Sequence, residues 1–151
     1  MIEMQYYVLG FAFTPDNRVA LIKKLKPAWQ SGLLNGIGGK RDMVKGERIY
    51  ELEPADLAMP REFFEETGVV ISHSDWTEVG VITGKYFHIT VFTTVHEAVY
   101  DVKTIEAEEI FLLPIDSVKY ATTVENAIFC IHACILKLIS QDTVKFELKY
   151  S

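Results

Sequence analysis

Residues 61–69 read Arg-Glu-Phe-Phe-Glu-Glu-Thr-Gly-Val, and the spacing of their charges predicts both a helix and a site. On a helix, Glu62, Glu65 and Glu66 are i, i+3 and i+4 and share one face. Three carboxylates so placed repel one another unless a cation lies among them, and their oxygens favour Mg²⁺ or Mn²⁺ over zinc. We therefore predict a helix that ends at Gly68 and binds a divalent metal, with a solvated acidic face as the alternative.

Arg61 adjoins the three glutamates and could hold one of their carboxylates from behind. Pro60 precedes it, and a proline inside a helix removes one hydrogen bond and clashes with the preceding turn. Two structures are compatible with this proline. The helix either kinks at Pro60, or it starts near Pro60 and leaves residues 53–58 as a separate turn. The role of Glu53 depends on which of the two forms.

Predicted strands surround this helix on both sides along the chain. Aromatic and β-branched residues between turn signals predict them over residues 6–13, 19–24, 33–37, 77–84, 86–97, 110–113 and 143–150. The short strand at 33–37 is expected to be broken by Gly36. The first two form a hairpin through the turn at residues 14–17. Residues 40–52 are polar and predicted to be irregular, and residues 100–109 form an acidic loop.

A second helix is predicted over residues 123–139, with Thr122 or Thr123 as its N-cap. It is apolar nearly all round, so we expect it to be well buried. The order of elements predicts an α+β fold, an α/β/α sandwich in which a mixed sheet is flanked by helices.

The composition predicts one globular domain over residues 1–151, since 49% of the residues are hydrophobic and 24% are charged. A net charge of −6 disfavours a binder of long nucleic acid. The start of the chain has no secretory pattern, and the apolar run at 127–139 is too short for a bilayer. Cys130 and Cys134 are predicted to be buried thiols. We therefore expect a cytoplasmic protein without membrane contact.

The segment from residue 53 to residue 69 resembles the signature of the Nudix hydrolases. In that family a glutamate, seven residues and then Arg-Glu-(apolar)-x-Glu-Glu-x-Gly-(apolar) follow one another, and Glu53 with residues 61–69 fits without a gap. Gly38-Gly39-Lys40 resembles the glycine start of the same signature. Gly39 lies 14 residues before Glu53. The family has six, so residues 40–52 carry an insertion that could be a lid or a specificity loop.

The resemblance implies the Nudix fold and hydrolysis of a pyrophosphate bond in a nucleoside diphosphate linked to another moiety, with Mg²⁺ or Mn²⁺. It implies that Glu62, Glu65 and Glu66 bind the metal and that the Gly39 carbonyl is a further ligand. Glu62, Arg61 and Glu66 are then the catalytic residues: Glu62 acts as or orients the general base, and Arg61 positions it.

The family also draws a carboxylate from a later loop. Glu106, Glu108 and Glu109 are candidates, with Glu97 as a weaker one. Of these we favour Glu109, because it directly precedes the strand predicted at 110–113.

Residues 34–40 resemble the segment of Nudix enzymes that sanitise oxidised purine triphosphates. By that resemblance Asn35 faces the base, since an amide offers both a donor and an acceptor. Two lysines are predicted to meet the phosphates, namely Lys40 and Lys23. Three aromatic rings are predicted to stack on the base, namely Trp29, Tyr86 and Phe87. The alternatives are a turn-capping asparagine, surface lysines and ordinary core aromatics.

The sequence thus predicts a pyrophosphohydrolase acting on a small nucleotide, with a nucleoside triphosphate favoured and a modified or oxidised purine included. A nucleotide sugar or ADP-ribose is an alternative substrate. A catalytically inactive nucleotide-binding regulatory module and an unrelated α+β protein with an acidic helix are alternative classes. The number of metal ions and the oligomeric state, a homodimer included, stay open.

Overall fold

A mixed sheet of eight strands runs through the computed structural model, which describes residues 3–119, 121–140 and 145–151. The strands are β1 (Gln5–Phe13), β2 (Arg18–Lys23), β3 (Leu34–Asn35), β4 (Ile37–Lys40), β5 (Met43–Lys45), β6 (Tyr50–Leu52), β7 (Thr77–Thr83), β8 (Phe87–Val95), β9 (Ile110–Pro114) and β10 (Phe146–Lys149). The sheet order is β10-β7-β8-β1-β2-β3, with β4 also paired to β1 and β9 to β2. Strands β5 and β6 form a separate two-stranded hairpin. The predicted β1–β2 hairpin is confirmed.

Three helices accompany the sheet in the described residues: α1 (Ala55–Thr67), α2 (Ile115–Val118) and α3 (Ala127–Ser140). Helix α1 ends at Gly68, whose φ of 75° is the predicted left-handed cap. Pro60 lies inside α1, so a helix that starts near Pro60 is wrong. The helix continues through the proline because Met59 and Phe63 on either side of it pack into the core. Glu53 stands just ahead of the first turn.

Each face of the sheet buries its own core. On one face α1 packs its apolar side with Trp76, Val8 and Phe92. On the other face α3 packs through Cys130 and Cys134, whose thiols are buried as predicted. The α/β/α sandwich is therefore confirmed. Apolar side chains from alternate positions of β1 and β2 enter the two cores in turn, which fixes the register of the sheet.

The segment before the acidic helix agrees with the prediction in one respect and differs from it in another. The strand expected at 33–37 is broken at Gly36 as predicted, because β3 pairs with β2 whereas β4 pairs with β1. A Cβ at Gly36 would lie 2.8 Å from the Gly10 carbonyl oxygen, so the crossing needs glycine. Residues 40–52 are not irregular, since they contain the β5–β6 hairpin with three paired positions. Its strands are only three residues long, too short for a periodic signal in the sequence.

The second helix also starts later than predicted, at Ala127. Thr122 and Thr123 do not cap it, because this stretch pairs with β3: the Leu34 amide donates to the Thr122 carbonyl at 2.9 Å. Nor is the helix buried all round. One face packs on the sheet, while the apolar side chains of the opposite face are exposed, namely Phe129, Leu136 and Ile139. Of the strand expected at 143–150, residues 143 and 144 lie outside the described part, and β10 accounts for the rest.

Two neighbouring phenylalanines of α1 test how this helix is held. Phe63 is fully buried and meets Trp76 edge to face at 5.2 Å, whereas Phe64 is 51% exposed. Phe63→Ala is expected to lower the free energy of unfolding by about 3–5 kcal/mol, because it leaves a cavity in the core. The matched control Phe64→Ala should cost less than about 1 kcal/mol. Urea denaturation measures both, and equal losses would contradict the described packing.

Candidate metal and nucleotide site

Glu53 holds the Arg61 side chain through both oxygens of the Glu53 carboxylate. Arg61 Nε donates to Glu53 Oε2 and Arg61 Nη2 to Glu53 Oε1, each at 2.8 Å. Glu53 is only 7% exposed, and its pKa is held below the ordinary value by the Arg61 hydrogen bonds, although burial opposes the shift. A buried carboxylate with both oxygens occupied in this way orients its partner. The pair therefore fixes where the guanidinium lies.

The same glutamate fastens the β5–β6 hairpin to α1. Its Oε1 accepts a hydrogen bond from the Asp42 amide at 3.1 Å, and its main-chain N–H donates to the Asp42 carbonyl at 2.8 Å. Arg41 Nε donates to the Glu53 carbonyl at 2.8 Å. The insertion at residues 40–52 is thus anchored at its base to the start of the acidic helix.

The other side of the Arg61 guanidinium meets two of the predicted metal ligands. Nη1 donates to Glu62 Oε1 at 3.1 Å and to Glu65 Oε1 at 3.1 Å. These contacts, and above all the hydrogen bond to Glu53, raise the pKa of Arg61. The single positive charge of Arg61 is therefore shared among Glu53, Glu62 and Glu65.

Glu62 lies against the glycine pair of β4. A Cβ at Gly39 would come within 2.5 Å of the Glu62 carboxylate, so only glycine permits this approach. Burial raises the pKa of Glu62, and the charge of Arg61 offsets part of that rise. The structure thus brings Gly39, Glu62 and Arg61 together. The coordination of a metal by the Gly39 carbonyl stays a prediction.

Glu66 stands apart from the Arg61 clamp. Burial raises its pKa to about 7, with further contributions from Glu106, Glu108 and Glu62 and an opposing one from Lys24. Its Oε2 is buried and has no hydrogen-bond partner in the described part of the chain. A buried carboxylate oxygen without a partner, among other negative charges, is the kind of atom that a cation would satisfy.

The late acidic loop contributes residues other than the one that we favoured. Glu106 and Glu108 are the loop carboxylates whose charges raise the pKa of Glu66. Glu108 is also fixed in place, since it accepts from Lys24 Nζ at 3.1 Å and from the Leu25 amide at 2.5 Å. Glu109 is exposed, and its carbonyl accepts from the Lys23 amide as part of the β2–β9 region. Glu108 thus turns toward Lys24, and a role for Glu109 as a metal ligand stays a prediction.

The described residues, 3–119, 121–140 and 145–151, contain no group of three acidic, histidine or cysteine side chains that could hold a metal as they are placed. Two of the predicted ligands, Glu62 and Glu65, instead accept hydrogen bonds from Arg61. The donor set nevertheless fits a hard divalent cation, because it offers carboxylate oxygens, the unpartnered Glu66 Oε2 and a side-chain-free backbone at Gly39.

A cavity of about 790 Å³ adjoins this cluster on the α3 face of the sheet. Two residues belong to both regions: Gly39, which contacts Glu62, and Lys24, which pairs with Glu108. Of the predicted substrate residues, Asn35, Trp29 and Phe87 line the cavity. Polar and aromatic residues that the sequence reading missed also line it, namely Lys24, Lys26, Gln30, Glu125, Asn126 and Tyr150.

Asn35 caps a turn and also lines the cavity, and its contact with a base stays a prediction. Its Oδ1 accepts the Gly36 N–H at 2.8 Å, as a turn-capping asparagine does, and the residue lines the cavity at the same time. Within the described residues its Nδ2 has no protein partner and remains a donor.

Three of the predicted substrate residues do not line the cavity: Lys23, Lys40 and Tyr86. Lys40 is exposed and meets the site only through its carbonyl, which accepts from Arg61 Nη2 at 3.1 Å. The Lys85 ammonium lies 5.2 Å from the centre of the exposed Tyr86 ring. Lys23 and Lys24 alternate sides at the end of β2, so that Lys24 lines the cavity whereas Lys23 does not.

No protein-family model matches the chain, and no curated protein sequence matches it. Solved structures do. The Nudix domain of Shewanella oneidensis NrtR, in complex with ADP ribose, aligns with a TM-score of 0.69 at 14% identity, over 91% of this chain and 90% of that one. The MutT protein of Methanosarcina mazei aligns with a TM-score of 0.65 at 17% identity, over 93% and 98%. A MutT Nudix hydrolase of Burkholderia pseudomallei gives 0.65 at 16% identity, over 87% and 98%.

At these identities the likeness establishes the fold: the chain has the Nudix fold, as the resemblance of residues 53–69 implied. Across the described part of the chain, no helix combines the length and the apolar character needed to cross a membrane.

Arg61→Lys tests the clamp. A lysine keeps the charge but lacks the planar fork that occupies both oxygens of Glu53 and reaches Glu62 and Glu65. We expect the free energy of unfolding to fall by about 2 kcal/mol, since buried carboxylates lose hydrogen bonds. The control is Arg18→Lys, in an ion pair with Asp16 whose side chains are 47% and 45% exposed, and it should change stability by less than about 0.5 kcal/mol. A similar small change at Arg61, seen by urea denaturation, would show that the clamp is not structural.

Glu66→Gln tests the charge cluster in the absence of metal. The pKa of Glu66 rises on folding from 4.5 to about 7, so the native state binds the extra proton and loses stability as pH increases through that window. In EDTA at pH 8 we expect the variant to be about 1 kcal/mol more stable than the parent, a value that allows for solvent screening. At pH 5 the two should agree. Thermal unfolding at both pH values measures this, with the exposed acid Glu147→Gln as control, and a difference that does not change with pH would contradict the cluster.

Proposed function

We propose that this protein hydrolyses a pyrophosphate bond in a nucleoside diphosphate linked to another moiety, with the help of a divalent cation. The observation that carries the proposal is the junction of two regions: a set of carboxylates with an unpartnered buried oxygen, and a nucleotide-sized cavity that shares Gly39 and Lys24 with it. The Nudix fold supports the same reaction, since structures with this fold include MutT Nudix hydrolases.

The proposed ligands of the cation are Glu62, Glu65 and Glu66, with Glu106 or Glu108 facing it from the late loop. When bound, Mg²⁺ or Mn²⁺ would supply positive charge beside the pyrophosphate and the attacking water. Glu62 and Glu65 must give up their hydrogen bonds from Arg61 Nη1 to take part. Glu53 then keeps the guanidinium in place through its hydrogen bonds with Arg61 Nε and Nη2.

The residues of the chain have separate tasks in this proposal. Lys24, at the border between the cavity and the acidic loop, attracts the phosphates. Glu62, held against Gly39, orients the attacking water or accepts its proton. The water oxygen forms a bond to one phosphorus and loses a proton to Glu62 or to a base that Glu62 orients. The bridging P–O bond breaks, and the group on its other side, the nucleotide or the pyrophosphate, departs with the electron pair of that bond.

A nucleoside triphosphate, including one with a modified or oxidised purine, is the proposed substrate. Asn35 Nδ2 is available as a donor within the cavity, and Trp29 and Phe87 offer rings against which a base can pack. The triphosphate would be converted to a monophosphate and pyrophosphate. A cytoplasmic site of action is part of the same proposal.

ADP-ribose or a nucleotide sugar is the second candidate, and the length of the cavity favours it. The cavity floor crosses from Gly39 on β4 over β1, β8 and β7 to Tyr150 beyond β10. Four strand spacings amount to about 19 Å. Such a floor has room for a group on each side of a diphosphate. The NrtR Nudix domain, of the same fold, was solved with ADP ribose.

The test is a panel of nucleoside triphosphates, oxidised purine triphosphates, nucleotide sugars and ADP-ribose, each with Mg²⁺ or Mn²⁺ and with EDTA. Chromatographic identification of the products gives the substrate class and the cleaved bond together. We expect cation-dependent turnover of at least one member. Glu62→Gln and Glu66→Gln should each lower kcat at least about 100-fold, because each removes a proposed ligand.

Glu147→Gln, which changes an exposed acid on β10, should retain the activity of the parent. Turnover that survives Glu66→Gln would remove this residue from the site. A chain that binds nucleotides but releases no product with any divalent cation would instead be a nucleotide-binding module.

A further inference from the structure

The β5–β6 hairpin stands out from the body of the protein into solvent. Its two strands are three residues long, and all of their residues are exposed except Leu52, which is half-buried. The hairpin is tied at its base, where Arg41 and Asp42 hydrogen-bond to Glu53. A hairpin of two short strands is marginally stable in water, so this one needs contacts beyond those of its base.

Apolar side chains lie in solvent on both faces of the hairpin. Residues that pair across it share a face, so Met43 and Tyr50 lie on one face and Val44 on the other. With Ile49 at the turn, these four side chains are 41–68% exposed. Exposed apolar residues that are scattered singly are normal, whereas a group of them within residues 43–50 marks an interaction surface.

The outer edge of β5 carries main-chain groups that do not face β6. The Gly46 N–H donates to the Ile49 carbonyl and the Glu53 N–H to the Asp42 carbonyl, each at 2.8 Å. By alternation, residues 42, 44 and 46 bond across the hairpin, whereas Met43 and Lys45 direct their N–H and C=O groups outward. No strand within the described residues pairs with this edge. It is therefore a template for a further strand.

The middle residues of the two strands decide which edge suits a second copy of the chain. When a three-residue strand pairs fully and antiparallel with its own copy, its middle residue lies opposite itself. In β6 this residue is Glu51, and two carboxylates placed so repel each other. In β5 it is Val44, and two valines can pack as a closely spaced pair.

We propose that the outer edge of β5 is an interface between two copies of this chain, whose hairpins join into one four-stranded antiparallel sheet. The two-fold axis passes between the two Val44 residues. Met43 of each copy lies opposite Lys45 of the other, and their main-chain groups form hydrogen bonds across the axis. The interface uses neither the cavity nor the acidic cluster, so it is separate from the proposed function.

The available area fits a weak dimer. With the exposed fractions given above, the four apolar side chains present about 400 Å² in each copy, or about 800 Å² in two. Main-chain and polar surface along the edge raises this area toward the roughly 1,200 Å² at which specific interfaces begin. We therefore expect dissociation constants in the micromolar range.

Sedimentation velocity over about 1–100 µM protein measures the association, and the parent should shift from monomer to dimer. Val44→Lys and Val44→Glu each place like charges opposite one another across the axis, so either variant alone should associate at least about tenfold more weakly. An equimolar mixture of the two should recover the dimer, because an ammonium then meets a carboxylate. The matched control is Val70→Lys, at a valine that is 76% exposed outside the hairpin, and it should associate like the parent.

A cysteine tests the register directly. In Val44→Cys the two new thiols lie in a closely spaced pair, with Cα atoms about 4.5 Å apart, which a disulfide can bridge. With oxidised glutathione we expect a covalent dimer, seen by non-reducing electrophoresis, whereas Val70→Cys should give little. The native Cys130 and Cys134 are buried and do not compete.

A parent that stays monomeric over the whole concentration range would overturn the proposal. So would a Val44→Lys variant that dimerises like the parent, or a mixture that associates no better than either variant alone. Polymers would also contradict it, because an isologous interface closes at two copies. Unchanged circular dichroism and urea midpoints of the Val44 variants separate a lost interface from a lost fold. All of these measurements omit nucleotide and metal, so they are independent of the hydrolase assignment.

Discussion

The ion pair between Arg61 and Glu53 is the constraint on which the arrangement of the acidic site depends. Glu53 is buried, and an ionised carboxylate in such a place is tolerated only when both oxygens are paired. Arg61 meets that demand with two bonds of 2.8 Å. Three segments attach to this pair: the start of α1, the base of the β5–β6 hairpin and the end of β4. The glutamates of α1, namely Glu62, Glu65 and Glu66, then lie on one side of the helix.

Arg61 also divides the negative charges into two groups. It contacts Glu62 and Glu65 as well as Glu53. Glu66 instead lies with Glu106 and Glu108, and Lys24 is the cation that opposes their charges. A fold selected for stability alone has no reason to keep a half-buried carboxylate beside other acids. Retaining it lowers the stability of the metal-free chain, which is the usual consequence of a functional site that is complete only when its ligand is bound.

The parts that the sequence predicted correctly depend on local spacing. The i, i+3, i+4 pattern places the three glutamates on one face of α1, and Gly68 ends the helix, because both follow from backbone geometry within two turns. The features that local spacing does not predict depend on distant segments. Residues 122–124 pair with β3 instead of starting α3, and Lys24 and Leu25 tether Glu108. No local pattern predicts such a tether.

Lys24 shows why the cavity and the acidic cluster act as one site. Its ammonium pairs with Glu108, and its charge lowers the pKa of Glu66, yet the same residue lines the cavity. A cation among the carboxylates would take over the neutralisation that Lys24 now provides, and Lys24 would become available to the phosphates of a ligand. By thermodynamic linkage, a ligand that engages Lys24 must in turn strengthen binding of the cation by the same factor. On the proposed function, metal and nucleotide therefore bind cooperatively even where they do not touch, because they share one lysine.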